Sequence, residues 1–360
     1  MDLPTLTVSG SPTAMGHAHG EHFRSLIQAF VQGRFDYLDT WSCERGRSDT
    51  SGVLEIGRLS MGIAAAWDPI GHAEHVAIAE AAGLEADRLF TAANLTDMRD
   101  ALLFAERSTE PIGEDEGCSS LLIPADHTAG GQAIVGQTWD LNHKDVAYVA
   151  AIKREPTDGV ASWSVSCVGC QTLMGINADG LVVGTTNIKT WGARPGVGYL
   201  NVLHRAIRTS SVAAASEIVR TAPRAGAHTY WLADAGEQAE WEAVPDSTHV
   251  RRTGSGPVFR TNHCVYDPYR AIEAEPATPS SEARFVRLTA LTAGRCDHTV
   301  ASVKAIFADR ADGPLSINRY VEDGLPVATN ANFLAVPAER TAWACRGPGD
   351  RSPWVRLDFG

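Results

Sequence analysis

The chain has 360 residues, 44% of them hydrophobic and 21% charged, which is typical of a folded globular protein and not of a disordered one. Its formal net charge is −12, and the absence of any block of Lys or Arg argues against a nucleic-acid partner. No apolar run approaches the roughly 20 residues that span a bilayer. The N-terminus, MDLPTLTVSG, lacks the basic and apolar regions of a secretion signal, so we expect no membrane partner.

The cysteines are irregularly spaced and odd in number: Cys43, Cys118, Cys167, Cys170, Cys264, Cys296 and Cys345. Without a secretion signal, this pattern favours free thiols in a reducing compartment, and we predict a cytoplasmic protein. The length fits one large domain, or a helical region fused to a β-rich region.

The first part of the chain, from residue 14 to about residue 107, is predicted to be mostly helical. Apolar residues recur at helical spacing in MGHAHGEHFRSLIQAFVQGRF, and VLEIGRLSMGIAAAWDP ends before a proline, as helices often do. The stretch ADRLFTAANLTDMRDALLF is a further long amphipathic helix candidate. PIGEDEG, residues 111–117, breaks the pattern with proline, glycine and acidic residues, which predicts an exposed loop.

After residue 117 the pattern becomes that of strands separated by turns. The predicted strands are SSLLIP, QAIVGQTW, AYVAAIKR, ASWSVSCV, GLVVGTTN, HTYWLAD and AEWEAV, followed later by strands in PVATNANFLAV and RTAWACR. Helices are predicted at about 199–221 and 280–308. Because the chain has no βαβ rhythm and no repeat of fixed period, it indicates an α+β fold with antiparallel sheets.

The segment most informative about chemistry is EDEGCSSLLIPADHTAGGQAIVGQTWDLN, residues 114–142. In it, Gly117 and Cys118 lie where an acidic loop meets the first strand, and glycine permits a strained peptide before a nucleophile. A cysteine placed there can attack its own preceding carbonyl to form a thioester, which water opens to release a chain that begins at Cys118. By itself, a Gly-Cys pair before a strand also fits a buried structural cysteine.

Such a cleavage has a chemical purpose. A free α-amine has a pKa near ~7.7–8 and can act as a general base close to neutrality. One residue then supplies both the thiol nucleophile and its base, which replaces a separate histidine.

Five motifs follow one another along nearly the whole chain: SGSPTAMGHAHGEHF, GCSSLLI…GGQAIVGQTWD, MGINADGLVVGTTN, RTNHCV and PLSINRY. Together they resemble the acyl-coenzyme A:6-aminopenicillanic acid acyltransferases, which are N-terminal-nucleophile hydrolases also classed as C45 cysteine peptidases. The resemblance implies a four-layer αββα sandwich with two antiparallel sheets, in a single domain spanning residues 1–360. It also implies autocatalytic cleavage of an inactive precursor into a mainly helical segment, 1–117, and a segment 118–360, which form a heterodimer.

The same resemblance assigns roles to individual residues. Cys118 falls on the nucleophile, and Asp140 falls on an aspartate expected to orient the new amino group. Asn262 falls on a donor to the oxyanion, and Arg319 falls on an arginine that favours the thiolate or binds a polar substrate group. Asn187, at the end of a hydrophobic strand, is expected to contact the substrate amide.

The sequence departs from the family pattern at a few positions. QTWD stands in place of QNWD, so that Thr138 replaces an asparagine, and NHC stands in place of NHF after His263. We predict that both Thr138 and His263 contact the substrate. Read without the motifs, Asp140 and Asn262 also fit turn residues. Arg319 also fits a surface charge.

Two other groups of residues were considered as metal or redox sites. In HAHGEH, His17 and His19 point to different helix faces, and His19 with His22 makes only a pair, whereas zinc requires three or four ligands. Cys167 and Cys170 form a CxxC pair without the βαβ setting of a redox motif and without a second pair. We therefore predict no metal site.

The predicted reaction is attack of Cys118 on an amide carbonyl, through a thioester acyl-enzyme, with Asn262 and backbone N–H groups stabilising the oxyanion. It requires no metal or organic cofactor. Hydrolysis of a small-molecule amide, an acylated amine or amino acid, is preferred, because acyl transfer from a thioester or amide donor to an amine requires the site to exclude water. Further alternatives are a thiol peptidase that cleaves only itself and a catalytically silent binding or scaffold protein with the same fold.

Overall fold

The computed structural model describes residues 1–44, 48–105, 117–254 and 256–360. The predicted helical region is confirmed, as helices α1 (Pro12–His22), α2 (Arg24–Glu44), α3 (Thr50–Trp67), α4 (Pro69–Ala82), α5 (Ala86–Ala93) and α6 (Leu95–Leu103). Two stretches predicted as continuous helices are divided, at Phe23 and at Asn94, where the backbone leaves the helical region. Apart from Gly117, the loop predicted at 111–117 lies outside the described residues.

The second part of the chain forms two sheets. The eight-stranded sheet contains, in spatial order, β1 (Thr5–Gly10), β4 (Val149–Pro156), β5 (Ser162–Cys167), β6 (Met174–Asn177), β7 (Val182–Asn187), β8 (His228–Ala233), β9 (Gln238–Val244) and β10 (Ser247–Arg252). The six-stranded sheet contains β11 (Val258–Arg260), β2 (Ser119–Ile123), β3 (Ile134–Asn142), β12 (Val327–Val336), β13 (Thr341–Arg346) and β14 (Val355–Leu357). Strand β1, which the sequence analysis missed, pairs in parallel with β4, and the other described pairs are antiparallel.

Helices cover both outer faces of this pair of sheets. The remaining helices are α7 (Tyr199–Ala206), α8 (Val212–Thr221), α9 (Asp267–Arg270), α10 (Pro279–Thr292) and α11 (Val300–Phe307). Helices α7 and α8 pack on the eight-stranded sheet, and α1 packs against β1 and β4. Helices α10 and α11 pack on the six-stranded sheet, over a core that includes Leu121, Leu288 and Phe307. The molecule is therefore a four-layer αββα sandwich, and the predicted fold class is confirmed.

A buried glutamine joins the two sheets at their facing surfaces. Gln137 of β3 accepts hydrogen bonds through Oε1 from the backbone N–H of Thr185 in β7, at 2.8 Å, and from Nε1 of Trp231 in β8, at 2.7 Å. Gly184 makes this approach possible, because a β-carbon there would lie 2.2 Å from the Trp231 ring. Strand β3 is thereby held against β7 and β8 of the facing sheet.

No helix within the described ranges is both long enough and apolar enough to cross a lipid bilayer.

Candidate active site

Gly117 and Cys118 immediately precede β2 and run beside β3. The backbone N–H of Gly117 donates to the carbonyl oxygen of Asp140 at 3.0 Å, and Sγ of Cys118 lies 4.0 Å from the same oxygen. Ser119, the next residue, pairs with Thr138 in the β2–β3 register. The candidate nucleophile is therefore held by the regular pairing of two buried strands.

Arg319 lies against this peptide from the other side. A β-carbon on Gly117 would come within 2.7 Å of Nη1 of Arg319, so any side chain there would require this guanidinium group to move. Arg319 is fully buried, and its Nε lies 3.9 Å from Oδ2 of Asp140, which is buried as well. This burial excludes the alternative of a surface charge for Arg319, and it adds a steric reason for the glycine.

Cys118 opens into a recess of about 310 Å³, a volume that includes the solvent space at its mouth. Its walls are formed by Thr96, Cys118, Trp139, Asp140, Leu141, Leu173, Thr185, Asn187, Tyr199 and His228. Ligand sites usually combine apolar walls with a few polar groups, and this recess has both. The geometry accordingly suits a small ligand with the thiol at its wall.

Two asparagines meet at the edge of the recess. Asn187 is the last residue of β7, and its buried Oδ1 has no hydrogen-bond partner among the described residues. Asn262 follows β11, and its Nδ2 donates to the backbone carbonyl of Asn187 at 3.0 Å. Asn187 therefore lines the recess directly, whereas Asn262 lies next to it.

Thr138 and His263 lie outside the recess walls. Thr138 is fully buried and accepts a hydrogen bond from the N–H of Ser119 at 3.2 Å, so its side chain supports the strand that begins at the cysteine. His263 contacts Oγ of Ser281 at 2.8 Å. Burial, reinforced by Arg260 and Arg284, lowers the pKa of His263 to about 4. A neutral imidazole is expected there at physiological pH.

Two features of the site were missed in the sequence analysis. Arg284 of α10 reaches the backbone carbonyl of Cys118, and its Nη2 donates to Oδ1 of Asn262 at 3.0 Å. His228 of β8 lines the recess, and its Nε2 lies 2.7 Å from Oδ1 of Asp97. Arg284 and Cys118 are 166 positions apart, and His228 and Asp97 are 131 positions apart. No local motif could therefore reveal these contacts.

The histidines of HAHGEH and the pair Cys167 and Cys170 occupy structural or surface positions. Nε2 of His19 accepts a hydrogen bond from the N–H of Gly169 at 3.0 Å, and His17 lies on the exposed side of α1. Cys167 and Cys170 are buried, and burial raises the pKa of Cys170 to about 12. Among the described residues, no three His, Cys, Asp or Glu side chains converge on a possible metal site.

Solved structures align with this chain at low similarity. Two structures of conjugated bile acid hydrolase from Clostridium perfringens align with TM-scores of 0.48 and 0.47 and identities of 12% and 13%, covering 67% and 68% of this chain and 92% and 97% of theirs. Penicillin V acylase from Agrobacterium tumefaciens aligns with a TM-score of 0.39 and 14% identity, covering 68% of this chain and 80% of its own. No curated protein matches by sequence.

The family comparison is more informative. The profile of acyl-coenzyme A:6-aminopenicillanic acid acyl-transferase matches residues 127–350, about three-fifths of the chain. The matched region contains Asp140, Asn187, Asn262 and Arg319, and it begins after Cys118. The resemblance noted in the sequence is thus confirmed, and the assignment rests on this match and not on the remote structural likenesses. The chain belongs to the acyl-coenzyme A:6-aminopenicillanic acid acyl-transferase family.

Proposed function

We propose that this protein is a self-processing N-terminal cysteine amidohydrolase that acts on a small-molecule amide. One observation carries the proposal: a thiol, a carboxylate and a side-chain amide, from Cys118, Asp140 and Asn187, line one recess at the ends of three strands. Different strands of the two sheets thus supply the nucleophile, its charged partner and the polar group proposed to contact the substrate. The two sheets are held together by the hydrogen bonds of Gln137.

Maturation begins within the chain. Sγ of Cys118 attacks the carbonyl carbon of Gly117, the peptide C–N bond breaks, and the thiol proton passes to the new α-amine. Water then hydrolyses the thioester, leaving a carboxylate on Gly117 and a free thiol and amine on Cys118. Segments 1–117 and 118–360 remain associated as one domain, because the core contains residues from both.

Turnover repeats this chemistry on an external amide. The α-amine of Cys118 takes the thiol proton and returns it to the leaving amine, while the side chain of Asp140 orients the amine. Asn262 supports the developing oxyanion, for which one well-placed donor contributes about 3–4 kcal/mol. The apolar wall of Trp139 and Leu173 fits an apolar portion of the acyl or amine group.

Acyl transfer is the second candidate, favoured by the description of the matching family. Hydrolysis and transfer share the thioester acyl-enzyme and differ only in whether water or an amine resolves it. Neither route calls for a metal or an organic cofactor, and coenzyme A would take part as a substrate. A cytoplasmic location is in keeping with seven cysteines that form no disulfide in the described parts of the chain.

The decisive experiment is intact-mass analysis of the denatured wild-type protein and two variants. We expect the wild type to give two polypeptides, the second beginning at Cys118, and Cys118→Ala to give one uncleaved chain without activity. Cys170→Ala is the matched control, because Cys170 is also a buried cysteine but faces a neighbouring recess, and it should cleave normally. Efficient cleavage of Cys118→Ala would overturn the mechanism.

A second measurement separates the remaining candidates. The cleaved enzyme is incubated with a panel of N-acyl amines and acyl thioesters, with and without an added primary amine. Free acid as the product supports hydrolysis, and a new amide in the presence of the added amine supports transfer. A wild-type chain that stays intact and turns over nothing would favour the silent binding protein.

A further inference from the structure

Arg284 is a fully buried arginine on α10, a helix whose N-terminus is fixed by Thr278 and Pro279. Its guanidinium group donates to acceptors from three separate segments. Nη1 contacts the backbone carbonyl of Cys118 and lies 3.0 Å from Oγ of Ser119, Nη2 lies 3.0 Å from Oδ1 of Asn262, and Nε lies 3.2 Å from Oγ of Ser280. A single side chain therefore joins the start of β2 to the loop after β11.

These contacts determine which way the amide of Asn262 points. Arginine carries only donors, so the atom of Asn262 that faces Arg284 must be the oxygen. The amide nitrogen then points away, where it donates one hydrogen to the carbonyl of Asn187 at 3.0 Å. An amide nitrogen has two hydrogens, and the described residues engage only this one. The second remains for an acceptor beside the recess.

We propose that Arg284 is a positioning residue for the reaction, holding the amide of Asn262 with its nitrogen turned toward the oxyanion and fixing the backbone of Cys118 relative to it. The inference rests on the proposed function. It adds a residue outside the five sequence motifs.

Only arginine meets the geometric requirement. The four acceptors lie around one planar group, which suits the fixed fork of a guanidinium. Lysine retains the positive charge, but its single ammonium group cannot reach the acceptors on both sides. Replacing Arg284 by lysine therefore separates the effect of orientation from that of charge.

The test combines steady-state kinetics with a double-mutant cycle. We compare wild type, Arg284→Lys, Asn262→Ala and the double variant, with rates expressed per cleaved enzyme as determined by intact mass. Loss of one oxyanion donor lowers kcat by about 10²–10³-fold. We expect Arg284→Lys to lower kcat by about 10- to 100-fold with KM changed less than about threefold, and to add less than about threefold in the Asn262→Ala background.

The control is Arg287→Lys, on the same helix, where the guanidinium pairs with Asp309 away from the recess. It should retain wild-type kcat. If Arg284→Lys does not fold, Ser280→Ala decides, since it removes one acceptor and leaves the arginine in place. We expect Ser280→Ala to lower kcat by about 2- to 10-fold with an unchanged melting temperature.

The inference would be overturned by a wild-type kcat in Arg284→Lys, by an effect of this variant on KM alone, or by losses that multiply fully in the double variant. If Arg284→Lys does not fold, a wild-type kcat in Ser280→Ala would overturn it. The proposed function is tested separately by Cys118→Ala. If Cys118→Ala is inactive and Arg284→Lys is fully active, the role of Arg284 is removed and the proposed function stands. Activity in Cys118→Ala would remove both.

Discussion

The guanidinium group of Arg319 occupies the space that a side chain on Gly117 would need, with Nη1 only 2.7 Å from the position of a β-carbon. We therefore expect Gly117→Ala to push Arg319 away from Asp140 and to slow self-cleavage at least about tenfold, equivalent to about 1.4 kcal/mol of barrier. The time course of intact chain on a denaturing gel measures the effect. Gly130→Ala is the control, because a β-carbon there meets no neighbouring atom within 4 Å. Cleavage of Gly117→Ala at the wild-type rate would contradict this account.

Asp140 carries the carboxylate nearest to Arg319 in the site, with a 3.9 Å separation between Oδ2 and Nε. Asp140→Asn keeps the shape and removes the charge, which leaves the cation without this anionic partner and the new amine without a charged acceptor. We expect maturation, turnover or both to be at least about tenfold slower. Intact mass and kcat report the two steps separately. Asp126→Asn, at an exposed position, should behave as wild type, and wild-type rates in Asp140→Asn would remove the role assigned to this residue.

Asn187 presents a buried Oδ1 to the recess, and that atom has no hydrogen-bond partner in the described parts of the chain. An N–H of the substrate amide is the natural donor to it. Asn187→Ala should therefore lower kcat/KM by a factor of roughly 2 to 10, the usual net value of one neutral hydrogen bond. Self-cleavage and thermal stability serve as internal controls, since the backbone carbonyl that binds Asn262 is retained. An unchanged kcat/KM would show that the side chain does not contact substrate.

Gln137 satisfies two buried donors across the sheets, from Thr185 and Trp231. Gln137→Ala leaves both donors unpaired and opens a cavity, so the free energy of unfolding should fall by about 2–4 kcal/mol. Urea denaturation followed by tryptophan fluorescence measures the change. Gln32→Ala is the control, because Gln32 is exposed and its side chain donates a hydrogen bond to Asp36, and it should lie within about 0.5 kcal/mol of wild type.

His75 on α4 predicts a dependence of stability on pH. Burial lowers the pKa of His75 to about 4, partly offset by its hydrogen bond to the carbonyl of Ala86, with smaller contributions from His72 and Glu74. In the unfolded chain the imidazole pKa is near ~6.5, so between about pH 6.5 and pH 4 the unfolded state binds a proton that the folded state does not bind. The free energy of unfolding therefore falls as pH drops from about 6.5 toward about 4. The contribution of His75 is a loss of roughly 2 kcal/mol between about pH 7 and pH 5.

Denaturation curves across this range check the effect, and His75→Gln should flatten the dependence. The control is His22→Gln, whose exposed side chain lies on the neighbouring helix α1. A pH dependence in His75→Gln as steep as that of wild type would contradict the assignment.

Periodicity predicted the architecture well and its boundaries less well. The change from helical to alternating patterns near residue 117 is confirmed by α1–α6 and the sheets that follow. The divisions at Phe23 and Asn94 were not predicted, because the apolar spacing continues across both while packing against other helices changes the direction of the chain. Strand β1 was missed since most of its residues are at least partly exposed, and its pairing partner lies about 140 positions away.

The arrangement of the site could likewise be predicted only in part from the sequence. Asp140, Asn187 and Arg319 could be chosen from their motifs, but their burial and contacts depend on how strands and loops meet in space. Arg284 lies in PSSEARFVRL, which has the appearance of an ordinary helix with charged residues toward solvent. Its full burial results from α10 packing against the start of β2, and no local pattern encodes that arrangement.

The parallel pairing of β1 with β4 has a consequence for the molecule once the chain is cut after Gly117. The first segment would still contribute an edge strand, hydrogen-bonded from Thr5 to Gly10, to a sheet built otherwise by the second segment. Because the core contains residues from both segments, separating them would require unfolding, and we expect dilution of a cleaved protein to leave the two segments associated. The two segments would then have to fold as one chain before cleavage, and we expect separately synthesised segments to aggregate instead of assembling.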